Sequence, residues 1–278
     1  MRAVLHWYIA AGVDEAHDAG PRNRFELPRK TEAPADPPAV ARPATPTVPL
    51  VPKPTPSVSK LTPSVSKPTP SASERPQSLE AHEIAASCST LSELRSAIAA
   101  FDGCALKRTA TNTVVGDGSE SAALMVIGEA PGAEEDRRGV PFVGPAGQLL
   151  DRMLSAIGLA RNSVYISNIL PWRPPGNRSP TAEEIALCQP FVERQIALVQ
   201  PRVLVLVGGI SAKALLQKRE GITRLRGTWR NFTPAGMTQA IPTMATFHPA
   251  YVLRQPSAKR EVWRDLLAIN KKLGEIGE

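Results

Sequence analysis

Four short apolar runs, at residues 124–127, 164–167, 203–207 and 243–247, punctuate the second half of the chain. Runs of this length, rich in Val, Ile and Leu, read as strands buried on both faces. Between and after them, residues 147–157, 182–199, 211–217 and 258–272 predict helices. Upstream, Ser89-Thr90-Leu91-Ser92-Glu93-Leu94 predicts the capped start of a further helix that runs to Ala100. Strand and helix alternate, which predicts an α/β fold of three layers, α/β/α, around a central, mostly parallel four-stranded sheet.

The first third of the chain follows no such period. Residues 31–87 are dominated by Pro, Ala, Ser and Thr and contain three near-identical heptads, beginning at Lys53, Lys60 and Lys67. Proline removes amide donors and fixes φ, and the apolar content is too low to offset the entropy of ordering, so this region predicts a disordered linker. Ahead of it, within residues 1–30, Leu5, Ile9 and Val13 share one face of a short predicted helix, which suits a docking peptide for a protein partner. Of the 28 prolines, 15 fall within residues 1–87. The foldable part is therefore residues 88–278, enough for one α/β domain.

Charge and cysteine content narrow the classes. Residues 1–87 hold 10 Lys/Arg against 9 Asp/Glu, which leaves most of the formal +7 on the folded part. A basic globular domain favours a polyanionic partner. Three scattered cysteines, Cys88, Cys104 and Cys188, do not make a secreted disulfide framework. No run spans a bilayer and the amino terminus lacks a clean cleavage site, so a monomeric cytoplasmic protein without membrane attachment is expected.

Candidate chemistry gathers at the strand ends. Gly128-Glu129-Ala130-Pro131-Gly132 follows the first run and delivers amides and acidic side chains to the carboxyl edge of the sheet, where open α/β folds bind ligands. Phe247-His248-Pro249-Ala250-Tyr251 follows the last run and carries the only histidine beyond residue 82. Together with Pro141-Phe142-Val143-Gly144, Gly147-Gln148-Leu149-Leu150, Asn168 and Arg173-Pro174-Pro175-Gly176-Asn177-Arg178, these segments resemble the family 4 uracil-DNA glycosylases, in the correct order over residues 101–272.

The resemblance implies hydrolysis of the bond between uracil and deoxyribose in single- or double-stranded DNA, with the nucleotide extruded from the stack. Phe142 then corresponds to the aromatic under the flipped uracil and Asn168 to the amide that pairs with its O4 and N3. His248 corresponds to the donor to O2, and Glu129 lies in the water-activating turn. Glu135 matches a second acidic catalytic position lining the same pocket; either glutamate could orient water or stabilise the cationic sugar, with Glu129 favoured for that role and Glu135 as a pocket residue that also screens the uracil 5 position. Ala130 stands where another branch of the superfamily places an aspartate. Glu134 and Asp136 read as solvated loop charges. DNA contacts are expected from Arg173 in the Pro-rich loop, from Gly209 and Ser211 at a helix start, from Lys213 and Arg226, and from Val252-Leu253-Arg254, with Val252 and Leu253 as wedges and Arg254 on phosphate.

The chain departs from the family at one place. The family pattern implies four cysteines around a four-iron iron-sulfur cluster. Cys104 and Cys188 match two of them, while Phe101 and Trp172 occupy the other two positions. Neither aromatic ligates iron, and Cys88 offers at most a third thiolate, so no metal and no cofactor are expected. Two further readings remain at this stage: a binder of uracil-containing or abasic DNA that does not turn over, and a branch that traps the sugar covalently. The covalent branch carries a histidine near Leu225-Arg226-Gly227, and none is present there.

Overall fold

A computed structural model describes residues 77–277. The helix expected within residues 1–30 and linker residues 31–76 lie outside the described residues. The helices are α1 Gln77–Ser87, α2 Leu91–Ala100, α3 Ala133–Arg138, α4 Pro145–Ser155, α5 Ala182–Val199, α6 Gly209–Leu216, α7 Ile222–Leu225, α8 Pro249–Arg254 and α9 Lys259–Gly277. The strands are β1 Gly116–Gly118, β2 Leu124–Gly128, β3 Tyr165–Asn168, β4 Val203–Val207, β5 Trp229–Phe232 and β6 Ile241–Thr246.

Alternation inside the apolar runs decides the layers, because successive strand side chains point to opposite faces. Leu124 and Val126 of β2, with Val203, Val205 and Val207 of β4, pack on one face against Leu150 and Leu154 of α4 and Ile269 of α9. Met125, Ile127, Leu204 and Leu206 feed the other face, against Ile98 of α2, Phe191 and Ile196 of α5 and Leu215 of α6. Every residue of β2 and β4 is buried.

The sheet has six strands in the order β1-β3-β2-β4-β6-β5, rather than the four expected. The inner four are parallel, and β1 and β5 run antiparallel on the two edges. Gly116-Asp117-Gly118 carries no apolar run, and β5 is mostly half-buried, so neither edge strand has the pattern of a buried strand. Short edges of this kind offer little template for pairing with another chain.

The folded part also begins earlier than composition places it. Helix α1 occupies the last eleven residues of the stretch assigned to the linker. Its Ala81 and Ala85 are buried in the core, and Arg194 of α5 reaches across to the Cys88 carbonyl at 2.8 Å. The capped helix start at Thr90 is as expected: the Thr90 hydroxyl accepts from the Glu93 amide, and Glu93 accepts from the Thr90 amide.

Parallel register brings the strand ends to one edge. Gly128 pairs with Asn168 across β2 and β3, and Val207 with Thr246 across β4 and β6. Glu129, Asn168, Gly208 and His248 therefore emerge side by side, although they are far apart in sequence.

Candidate active site

A cavity of about 330 Å³ opens at this edge, lined by Glu129, Ala130, Glu135, Phe142, Asn168, His248 and Arg254 among others. The glycines that precede these residues make room for it. A Cβ on Gly128 would lie 2.3 Å from Asn168 Oδ1 and 2.6 Å from the Phe142 ring. A Cβ on Gly147 would lie 1.8 Å from the Phe142 carbonyl oxygen, so α4 can start against the Phe142 loop only with glycine there.

Phe142 has φ of 52°, an uncommon conformation for a residue with a bulky side chain. Arg161 holds it in place. Its guanidinium donates to the Phe142 carbonyl at 2.9 Å and the Pro141 carbonyl at 2.5 Å, and pairs with Asp151 and Asp117. The Phe142 and His248 rings lie at 28° with centroids 5.6 Å apart, forming one aromatic wall. Sequence reasoning missed Arg161, because an arginine before a strand carries no signal of where its guanidinium goes.

The two glutamates differ in kind. Glu135, at the start of α3, accepts from three backbone amides: Val143 at 2.9 Å, Gly144 at 2.8 Å and Gly132 at 3.2 Å. It fastens the Glu129 turn to the Phe142 loop. The Glu129 carboxylate has no hydrogen bond or ion pair among the described residues, and burial pushes its pKa up, which increases its affinity for a proton.

His248 caps α8, its Nδ1 accepting from the Ala250 amide at 3.1 Å. An accepting Nδ1 carries no proton, so in the neutral ring the proton sits on Nε2. Burial and the nearby positive charge of Arg254 lower the His248 pKa to about 4, which keeps the ring neutral at physiological pH. Asn168 is 3 % exposed, and neither its Oδ1 nor its Nδ2 has a hydrogen-bond partner among the described residues. An amide orphaned at both atoms costs free energy unless a ligand completes it.

Several sequence expectations need correction. Asp136 is not a solvated charge: it is buried and accepts from the Thr111 and Asn112 amides at 2.8 and 3.1 Å. Glu134 does lie at the surface, paired with Arg137 at 2.7 Å. Arg226 is not a free phosphate ligand. Its guanidinium grips Asp265 at 2.6 Å and the Glu261 carbonyl, and lies over the Phe247 ring. Val252 is fully buried and cannot wedge, whereas Leu253 and Tyr251 on the same helix are exposed. The Ser211 side chain is buried, its hydroxyl turned back to the Val207 and Gly208 carbonyls, which leaves only its backbone for an anion. Gly209 opens α6, and Lys213 is exposed on the same helix. Arg173 donates to Asn177 at 2.7 Å and braces the Pro-rich loop, from which Pro174, Asn177 and Arg178 close one side of the cavity.

Residues 115–267 match the family described as the uracil DNA glycosylase superfamily. The chain belongs to that superfamily. It is 40 % identical over 180 residues to a type-4 uracil-DNA glycosylase of Pyrobaculum aerophilum, a match that spans 63 % of this chain and 91 % of that protein. It is 40 % identical over 177 residues to the type-4 enzyme of Archaeoglobus fulgidus, spanning 62 % and 86 % of the two chains. With the type-4 enzyme of Thermotoga maritima it shares 42 % identity over 155 residues, or 55 % and 78 %.

The cluster implied by the resemblance does not fit the residues present. Cys104 and Cys188 are buried and joined by a hydrogen bond from the Cys188 thiol, which draws the Cys104 pKa down to about 7 and holds Cys188 protonated. Phe101 packs edge-on against Phe191 with centroids 5.2 Å apart. Trp172 is 1 % exposed and donates to the Thr113 hydroxyl at 3.1 Å. Two sulfurs flanked by two packed aromatic rings do not supply four thiolate corners. No group of three or more potential ligands is gathered among the described residues, and none of the helices there is long and apolar enough to cross a membrane.

Proposed function

We propose that this superfamily member hydrolyses the N-glycosidic bond of deoxyuridine in DNA, releases uracil and leaves an abasic site, the first step of base-excision repair. The observation that carries this is Asn168: a buried carboxamide with both atoms unpartnered, in a cavity walled by Phe142 and His248. Uracil completes it, its N3–H donating to Oδ1 and its O4 accepting from Nδ2. Cytosine reverses both groups and leaves two clashing pairs, and a site built on hydrogen bonds rejects such an analogue strongly.

The base must leave its stack to reach this cavity, and Phe142 offers it a flat face. As the C1′–N1 bond breaks, its electron pair moves onto the base, and the His248 Nε2–H donates to O2 where the negative charge develops. The neutral ring gives this hydrogen bond without surrendering its proton. Water attacks C1′, forming the new C–O bond, and Glu129 accepts the water proton while its charge stabilises the cationic sugar. Glu135 is a positioning residue that fixes the Glu129 turn and stands as a rigid wall toward a 5-methyl group. Arg254, Lys213 and the Gly209 amide meet phosphates, and Leu253 fills the stack.

The same reading extends to a metal-independent, monofunctional enzyme that acts as a cytoplasmic monomer, with the amino-terminal segment docking a protein partner. Packed aromatics at two of the four cysteine positions support the first point, and the short edge strands support the monomer. The test is alkali-dependent cleavage of an end-labelled oligonucleotide with one deoxyuridine, a thymidine control and Asn168→Ala, with iron assayed in the same anaerobic preparation. Uracil-specific abasic sites, a loss of about 10²-fold or more in the variant and no stoichiometric iron are expected. Tight binding without cleavage overturns the enzymatic reading, and stoichiometric iron overturns the metal-independent one.

A further inference from the structure

A buried ion pair sits beside the strand end that delivers His248. Asp265 of α9 is 2 % exposed and accepts three hydrogen bonds. The Arg226 guanidinium grips it as a fork, Nε to Oδ2 at 3.1 Å and Nη2 to Oδ1 at 2.6 Å. The hydroxyl of Thr246, the last residue of β6, donates to Oδ2 at 2.6 Å. Arg226 also donates to the Glu261 carbonyl at 2.6 Å, and its guanidinium lies 5.3 Å from the centre of the Phe247 ring. The backbone is pinned at the same place: the Gly227 N–H donates to the Ala245 carbonyl at 3.0 Å, and the Gly208 N–H to the Thr246 carbonyl at 2.9 Å. Thr246 and Phe247, the two residues before His248, are thus held from α9 and from the Arg226 loop.

Such an arrangement does little for stability. Burial pushes the Asp265 pKa up, against the hydrogen bonds from Thr246 and Arg226, which pull it down. Well-packed apolar side chains of similar volume often serve a core as well, because desolvating two charges offsets most of their attraction. What a bidentate fork adds is direction. Direction is what His248 needs. Its Nε2–H stabilises the departing base only if it is aimed at O2 before the bond breaks, and misplacement by about 1 Å costs about 10²-fold in rate. The Ala250 amide on Nδ1 and the Phe142 ring orient the imidazole, but neither fixes where the end of β6 delivers it. None of Arg226, Thr246 and Asp265 lines the Asn168 cavity, so none of them touches the base.

We propose that Asp265, Arg226 and Thr246 are positioning residues for His248, holding the end of β6 so that Nε2–H stays aimed at O2 of the departing base. This deepens the glycosylase reading and rests on it. The ion pair then sets the rate of the bond-breaking step and leaves DNA binding unchanged.

The test is single-turnover excision by the full chain, at saturating enzyme, from DNA carrying one deoxyuridine or one 5-fluorodeoxyuridine. The variants are Thr246→Val, Thr246→Ser, Asp265→Asn and His248→Ala. Fluorine withdraws electrons and stabilises the departing anion, so excision of the fluorinated base depends less on the donor to O2. In Thr246→Val and Asp265→Asn, uracil excision is expected to fall about ten-fold, with the dissociation constant for uracil-containing DNA within about two-fold of wild type. The loss on the fluorinated base is expected to be about three-fold smaller, the same direction as in His248→Ala. Thr246→Ser, which keeps the hydroxyl, restores the wild-type rate. Should Asp265→Asn fail to fold, the isosteric Thr246→Val carries the test alone. Equal losses on the two bases reduce the ion pair to a strut of the core and overturn the proposal. A loss confined to DNA affinity, or a wild-type rate in Thr246→Val, overturns it as well. A wild-type protein that excises neither base is the separate failure of the glycosylase reading, and the proposal falls with it.

Discussion

The division of labour between Glu135 and Glu129 makes a sharp prediction. Glu135→Gln keeps the side-chain shape but has one acceptor oxygen where three backbone amides converge. Placed toward Val143 and Gly144, that oxygen keeps two bonds without charge assistance, and the new NH2 group faces the Gly132 N–H. Hydrogen bonds to a charged group contribute about 1.5–3 kcal/mol each, and an orphaned buried donor costs about 1–3 kcal/mol. The net loss is roughly 2–4 kcal/mol after the remaining bonds are counted, or about 5–10 °C in Tm for a domain of this size. Glu129→Gln removes a buried carboxylate with no partner among the described residues, so stability should hold or rise while excision falls by about 10²–10⁴-fold. Thermal melts by circular dichroism, paired with single-turnover excision well below both midpoints, separate the two. The reasoning is refuted if Glu135→Gln melts like wild type and is inactive while Glu129→Gln still turns over.

Four other outcomes follow from the structure. The excision rate should fall as pH drops through the raised pKa of Glu129, and His248, neutral down to about 4, should add no limb at higher pH. Between pH 6.5 and about 4 the unfolded chain binds a proton at His248 that the folded one does not, so stability falls as pH falls across that window and His248→Gln flattens the slope in urea titrations. Arg161→Met orphans the Pro141 and Phe142 carbonyls and should cost about 1–3 kcal/mol, with a raised KM for uracil-containing DNA. A chain that starts at residue 75 should keep full stability and activity. One that starts at residue 88 loses α1 and the burial of Ala81 and Ala85, a cost of about 2 kcal/mol in chemical denaturation.

What the sequence disclosed and what it hid divide along physical lines. The inner strands and the principal helices were legible because burial on both faces writes uninterrupted apolar runs. Edge strand β1 was not: Gly116-Asp117-Gly118 is extended because β3 pairs with it, a fact that belongs to β3. Helix α1 was masked by the composition that precedes it. In the site, the turn and strand-end motifs predicted residues that the fold does gather into one cavity, since each follows the carboxyl end of a parallel strand. Basic and acidic side chains were harder to assign. Arg226 looks like any phosphate ligand until Asp265 is seen beneath it, and Asp136 looks like any loop charge until the Thr111 and Asn112 amides are seen to meet it.

The convergence of β2, β3, β4 and β6 on one edge has a consequence for how the protein comes into being. Asn168 and Phe142 are translated well before His248, and β6, which presents His248, pairs directly with β4 on the inner side and β5 on the outer. No fragment that ends before β6 holds the whole centre. A nascent or proteolysed chain that lacks β6 has a place for the base but no donor for its departing charge, so an unfinished molecule is silent toward the genome. The topology thus acts as a safeguard, letting the protein generate abasic sites only once β6 and the His248 turn that follows it are in place.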